Sequence, residues 1–168
     1  MKKYLVLVLI VLVMGALFVG VVAAPAGNSN TGLLYLYEKD AAWDIVPGGA
    51  WGKMEYKLSG LEFDFVFNGK GLEAGVEYTL IYYPDPWPGT GLICLGSATA
   101  NNGGNVHIAG PVEIDTDLPA DFDDPEYEGA KIWLVLNSDI ECGVSMTDWN
   151  PAEYLFEDEV INFDDTDA

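Results

Sequence analysis

The chain contains no arginine and a single histidine, His107. Without arginine there is no planar bidentate clamp for phosphate. One histidine cannot build a histidine-rich zinc or copper centre. Positive charge is scarce throughout: 7 lysines stand against 27 acidic residues, for a net charge of −20. Such a surface repels phosphate backbones and anionic lipid headgroups, so nucleic acid is excluded as a partner. The partners it allows are cations, neutral glycans, cationic or cell-surface proteins, and copies of itself. No Asn-x-Ser/Thr triplet occurs, so no N-glycosylation is expected. Gly-x-Ser-x-Gly is also missing. His107 alternates with Val106 and Ile108 in a strand-like stretch, so it is expected to face solvent; a Cys94 nucleophile paired with it is the alternative to a bridged Cys94. With so many carboxylates some pair is always at hand. A two-carboxylate hydrolase is therefore an alternative without assignable residues, and no catalytic residue is assigned.

What is present begins with a leader. Lys2 and Lys3 precede an apolar run from Tyr4 to Val22, and Ala23, Ala24, Pro25, Ala26 and Gly27 follow. Charge, apolar core and small residues in that order read as a signal peptide, 1–26, cleaved after Ala26. The run is about 19 residues long, near the ~20 that span a bilayer, so the alternative is an uncleaved anchor that keeps the protein at the membrane. A secreted or cell-surface location follows either way. Removing the leader leaves about 142 residues and a charge of about −22, enough for one domain with a real core. That domain is expected over 32–163, after a linker at 27–31 and before an acidic tail at 164–168. The acidity has a plain cause as well, solubility in salt that screens self-repulsion.

Two cysteines, Cys94 and Cys142, in an exported chain read as a disulfide. The loop it closes holds about 49 residues, which corresponds to about 3–4 kcal/mol of stabilisation through the unfolded state. Free buried thiols are the alternative.

From Gly32 onward the hydrophobic period is two. Met54, Tyr56 and Leu58 alternate with Lys53, Glu55 and Lys57. Leu61, Phe63, Phe65 and Phe67 then place four large apolar residues on one face. Val76 to Tyr83, Leu92 to Thr99, Asn105 to Ile114, Ile132 to Leu136 and Tyr154 to Phe163 add further strands, Ile132 to Leu136 being apolar enough to be central. Pro84 to Gly89 cannot continue a ladder. Asn68-Gly69 and Asn101 to Gly104 signal turns, the latter a hairpin. No segment supports a three-turn helix; single turns are expected near Ala41-Trp43 or Pro151-Tyr154. The fold class is all-β, an antiparallel β-sandwich of immunoglobulin/fibronectin III-like or jelly-roll-like form, with a β-barrel as alternative.

Leu72-Glu73-Ala74-Gly75-Val76-Glu77-Tyr78 resembles the tyrosine corner of fibronectin type III domains, with leucine, glycine and tyrosine in register and the usual proline and threonine missing. The resemblance implies a structural role for Tyr78. Trp51-Gly52-Lys53-Met54, the stretch Gly71-Leu72 to Tyr83, and Gly91-Leu92-Ile93-Cys94-Leu95-Gly96 are similar to small exported archaeal proteins of uncharacterised function. That similarity implies a location and a lineage but no activity.

Two regions carry candidate sites. Asp115, Asp117, Asp121, Asp123, Asp124 and Glu126 crowd one loop punctuated by Pro119 and Pro125. Calcium takes six to eight oxygens, several of them carboxylate, on a bent loop. The spacing departs from an EF-hand at Pro119, and the competing reading is a solvated loop. No cofactor is required; calcium is the cation expected if one binds. Asp164, Asp165 and Asp167 read as a frayed tail. The second region is aromatic. Trp87 sits among prolines, where its ring is hard to bury, and Tyr82, Tyr83 and Trp149 are the expected partners of a sugar-stacking platform. The competing reading puts Trp43, Trp51 and Trp133 in the core and packs Trp87 under its own prolines. The expectation is an exported domain with a non-catalytic structural, adhesive or binding role, cation-dependent through the acidic loop, with a carbohydrate-binding module as the alternative.

Overall fold

The computed structural model describes residues 29–120, 123 and 129–168. The leader and the loop residues Asp121, Asp124 and Glu126 lie outside the described residues. Among those described, the strands are β1 (Gly32–Tyr37), β2 (Trp51–Tyr56), β3 (Ser59–Gly60), β4 (Phe65–Lys70), β5 (Glu77–Tyr83), β6 (Ile93–Thr99), β7 (Val106–Ala109), β8 (Lys131–Leu136), β9 (Ile140–Glu141), β10 (Ser145–Met146), β11 (Leu155–Glu157) and β12 (Asp164–Asp165). The fold is all-β.

Eight strands form one antiparallel sheet in the order β6-β5-β8-β11-β1-β2-β4-β7. Its two edges, β6 and β7, come into contact without pairing, so the sheet nearly closes into a barrel. The two walls that a sandwich would build from separate sheets belong here to one. The Asn101–Gly104 turn forms as its sequence demands. Asn101 Oδ1 accepts from Gly103 N at 2.8 Å, and Gly104 takes φ +70°. It joins the two edges of the sheet rather than a paired hairpin.

The period-two pattern sets the interior. Phe65 and Phe67 on β4, Met54 on β2 and Leu34 and Leu36 on β1 point inward, while Val66 and Asn68 point out. The phenylalanine face starts later than its pattern implies: Phe63 is buried through a bridge to Val112, but Leu61 is 61% exposed. Asn68-Gly69, a turn signal in isolation, is ladder, paired with Val106 and His107. The tyrosine corner is present: Glu73 N donates to the Tyr78 hydroxyl oxygen at 3.2 Å.

β5 and β8 are buried on both faces. Tyr78, Leu80 and Tyr82 enter the barrel. Ile81 and Tyr83, with Trp133 and Val135 of β8, face outward and are covered by a second apolar cluster containing Met146, Tyr154 and Phe156. This outer layer positions the candidate site.

The C-terminal segment is built in. Ile161 bridges Ala130, Phe163 bridges Leu118, and β12 pairs in parallel with β3. Asp165 is 5% exposed. The apolar pair Ile161 and Phe163 anchors this stretch, so the acidic residues after it follow a fixed path instead of fraying.

Candidate functional site

Four indoles meet over the outer face of β5 and β8. Trp133 forms the floor, stacked on Tyr83 with ring centroids 3.8 Å apart and planes 12° from parallel. Trp87 and Trp149 meet edge to face at 5.4 Å, and Trp149 lies 6.0 Å from Trp133. Trp43 approaches from a turn after β1 and meets Phe156 edge-on at 4.8 Å. Trp133 is buried, whereas Trp43 and Trp87 are more than half exposed and Trp149 is 37% exposed. With Tyr83, Asp85 and Lys131 they line an open cavity of about 450 Å³. A hollow of about 380 Å³ continues past Trp87 to Thr90 and Gly91, and another of about 200 Å³ continues past Trp43 and Trp149 to Lys39 and Pro151. The first and second hollows share Asp85 and Trp87 as walls, and the first and third share Trp43 and Trp149, so the three lie side by side and are together called the groove.

Each indole is held by a local device. Asp40 Oδ1 accepts from Ala42 N at 2.8 Å and Asp44 N at 3.1 Å, which turns the chain sharply and leaves Trp43 at φ +66°. Positive φ is costly for a bulky residue, and such strain clusters at working sites. Lys39 Nζ sits 5.8 Å from the Trp43 ring centroid and donates to Glu157 O at 2.9 Å.

The Trp87 loop is clamped at both ends. Asp123 Oδ1 accepts from Asp85 N and Asp123 Oδ2 from the Tyr82 hydroxyl, both at 2.7 Å. Asp85 also pairs with Lys131 across the cavity wall. At the far end, Gly91 N donates to Val144 O at 2.8 Å and Met146 N to Pro88 O at 2.9 Å, binding the loop to the β9–β10 hairpin. Cys142 of that hairpin is bridged to Cys94 of β6. Gly89, at φ +73°, packs so closely on Tyr83 that a Cβ would lie 2.4 Å from its ring.

The Trp149 loop hangs on Asp139, which is 4% exposed. Burial alone would raise its pKa, but hydrogen bonds from Tyr154, Asn150 and Ser138 outweigh that and hold the carboxyl below its usual range. Glu157 is the opposite case. Burial pushes it up to about 7, against the opposing pull of its own backbone N–H, of Lys39 and Lys131, and of the nearby Trp133 indole. Neither Glu157 Oε2 nor Trp133 Nε1 makes a hydrogen bond of normal geometry. Glu157 is not among the residues lining the three hollows.

Of the aromatic platform read from the sequence, Trp87, Trp149 and Tyr83 come together. Tyr82 does not join them: it turns into the barrel, 0% exposed, because adjacent strand residues face opposite ways. Of the tryptophans assigned to the core in the competing sequence reading, Trp133 is buried in the outer apolar cluster, where it forms the cavity floor, whereas Trp43 is exposed and forms part of the wall. The sequence predicts a turn near Ala41-Trp43, but nothing local marks either Trp43 or Trp133 as part of a groove. Trp51 stands apart, against Tyr35 and under Lys70.

The acidic loop divides. Asp123 serves the Trp87 loop, and Asp117 Oδ1 accepts from Asp165 N at 2.7 Å. Asp115 lies beside a cluster that the sequence did not assemble: Glu113, Asp165 and Asp167 each bring a carboxylate oxygen within 4.8 Å of the others. Desolvation first, and then the charges of Asp115, Asp167 and Asp165, raise Glu113; a hydrogen bond with Asp165 and then desolvation raise Asp167. His107 is exposed and bonded through Nδ1 to Asn68 Oδ1 at 2.9 Å.

Comparison with known proteins adds no relative to this description: no family model, curated protein or solved structure matches the chain.

Proposed function

We propose that this chain is an exported surface domain, of the lineage its sequence resembles, that binds the chain of a neutral glycan without transforming it. The observation that carries the reading is the convergence of three exposed indoles, Trp43, Trp87 and Trp149, on one open groove. Sites for organic ligands are concave and mostly apolar, with a few polar groups that fix orientation. Here the apolar faces suit the C–H faces of sugar rings, and Asp85, Lys131 and Asp40 offer donors and acceptors for hydroxyls. Three hollows in a row suit several sugar units in line better than a single ring. The net charge of −20 disfavours sulfated or uronic-acid chains. The hydrolase alternative draws no support from Glu157. Its carboxyl, raised by burial to about 7, lies off the groove.

Affinity electrophoresis of the purified protein in gels containing soluble β-glucan, xylan, mannan or starch tests the reading. Retardation by at least one neutral polysaccharide, lost in Trp87→Ala and Trp149→Ala, is expected. Equal mobility in every gel would sink it.

A further inference from the structure

We propose that Glu113, Asp165 and Asp167 form a calcium site that ties the C-terminal strand to the segment following β7.

The geometry suits that ion. Calcium binds oxygen at about 2.3–2.6 Å, so two ligands on opposite sides of it stand no more than about 5 Å apart. The three carboxylates already meet this condition, with ligating oxygens within 4.8 Å of one another. Magnesium, at about 2.0–2.1 Å and with strict octahedral demands, would require them to close in further.

Proximity of acids alone proves nothing on an acidic surface. The independent observation is Asp165. Its side chain is 5% exposed, and its Oδ2 is shut away from solvent with no hydrogen-bond partner. Its other oxygen, Oδ1, takes a long contact from Asp167 N at 3.4 Å, and the one side-chain neighbour hydrogen-bonding to the carboxyl is that of Asp167, itself an acid that brings no positive charge. A buried carboxylate oxygen without a partner is costly, and native proteins satisfy such atoms with a donor or a cation. The charges acting on Glu113 from around it are those of Asp115, Asp165 and Asp167, all negative. Neither salt bridge among the described residues reaches this cluster. A divalent cation supplies the missing positive charge and the missing partner together.

The backbone holds the ligands in place beforehand. Asp117 Oδ1 accepts from Asp165 N, Asp164 N donates to Leu58 O at 3.0 Å, and Thr166 N donates to Gly60 O at 2.9 Å. Asp165 is thus fixed by its own strand, and Glu113 by the bridge between Val112 and Phe63. Asp167 and Glu113 are exposed, which leaves the outer side open for water ligands. An ion here joins residues about fifty positions apart and locks the chain end that covers β3.

Calorimetric titration of calcium chloride into chelator-treated full chain tests the site. One calcium per chain is expected, with a Kd at or below about 1 mM, as for extracellular calcium modules. Glu113→Gln and Asp165→Asn should each weaken binding at least tenfold, Glu141→Gln should leave it unchanged, and magnesium should bind at least tenfold more weakly. Unchanged affinity in Glu113→Gln, equal affinity for magnesium, or no saturable binding at about ten times that concentration would overturn the proposal. If Asp165→Asn fails to fold, the exposed Glu113→Gln decides.

Discussion

The Tyr154 hydroxyl donates to Asp139 Oδ2 at 2.5 Å, a buried bond that ties the end of the loop carrying Trp149 to the turn between β8 and β9. Asn150 Nδ2 donates to the same oxygen at 2.8 Å. A hydrogen bond to a charged acceptor contributes about 1.5–3 kcal/mol. Tyr154→Phe should therefore lose about that much in urea denaturation at pH 7. Asp139→Ala should lose more, because it strands the Tyr154 hydroxyl in the interior. The acceptor is charged and its folded pKa is depressed. Its contribution is thus complete above the unfolded value of 3.8 and disappears as pH falls through the folded value, so the wild-type lead over Tyr154→Phe should shrink below about pH 4.

Glu157 reverses the sign. Its folded pKa is raised, from 4.5 to about 7, so folding favours the protonated form. Its cost to stability is absent below pH 4.5, grows as pH rises between those values and is complete above about 7. A tenfold change in proton affinity corresponds to about 1.4 kcal/mol, so Glu157→Gln should be more stable than wild type by up to about 3 kcal/mol at pH 8 and equal to it at pH 4. Urea midpoints at the two pH values check this. A constant difference would show that Glu157 is not the titrating group.

The bridge between Cys94 and Cys142 closes a loop of 48-residue separation. Loop-closure entropy assigns about 4 kcal/mol to it. Cys94→Ser/Cys142→Ser should lower stability by about that amount. The β9–β10 hairpin that braces the Trp87 loop would also lose its covalent tether, so glycan retention should fall even where the variant is folded.

The tryptophans should separate by role. Trp133 is the buried floor, and Trp133→Ala should cost about 3–5 kcal/mol. Trp87 is 53% exposed, and Trp87→Ala should change Tm by no more than a few degrees while abolishing polysaccharide retardation. Differential scanning fluorimetry beside affinity electrophoresis distinguishes the two outcomes.

Much of the fold is legible locally. Strands β1 and β2 lie where period-two alternation puts them, because the alternation of side chains across a strand is a property of the backbone itself, and β5, β6 and β8 lie where runs of β-branched, aromatic and aliphatic residues put them. The Tyr78 corner and the Asn101–Gly104 turn are equally local. The groove was half legible. Trp87, Trp149 and Tyr83 were evident as aromatics near turn signals, but Tyr82 was misplaced by one residue of strand parity. Trp43 was invisible as a wall because its partner Phe156 lies more than a hundred residues away.

The sequence by itself determined the all-β class, the acidic surface, the inward and outward faces of each strong strand and the plausibility of a disulfide, since each follows from composition or short-range periodicity. Tertiary structure decided the rest. Strand partners depend on non-local hydrogen bonding, so only the folded chain shows that β6 and β7 are the two meeting edges of one sheet. Charge alone makes Asp164 to Asp167 look solvated; pairing with β3 buries Asp165 and brings it to Glu113. The four indoles gather for the same reason, because curling the sheet brings distant turns over one outer face.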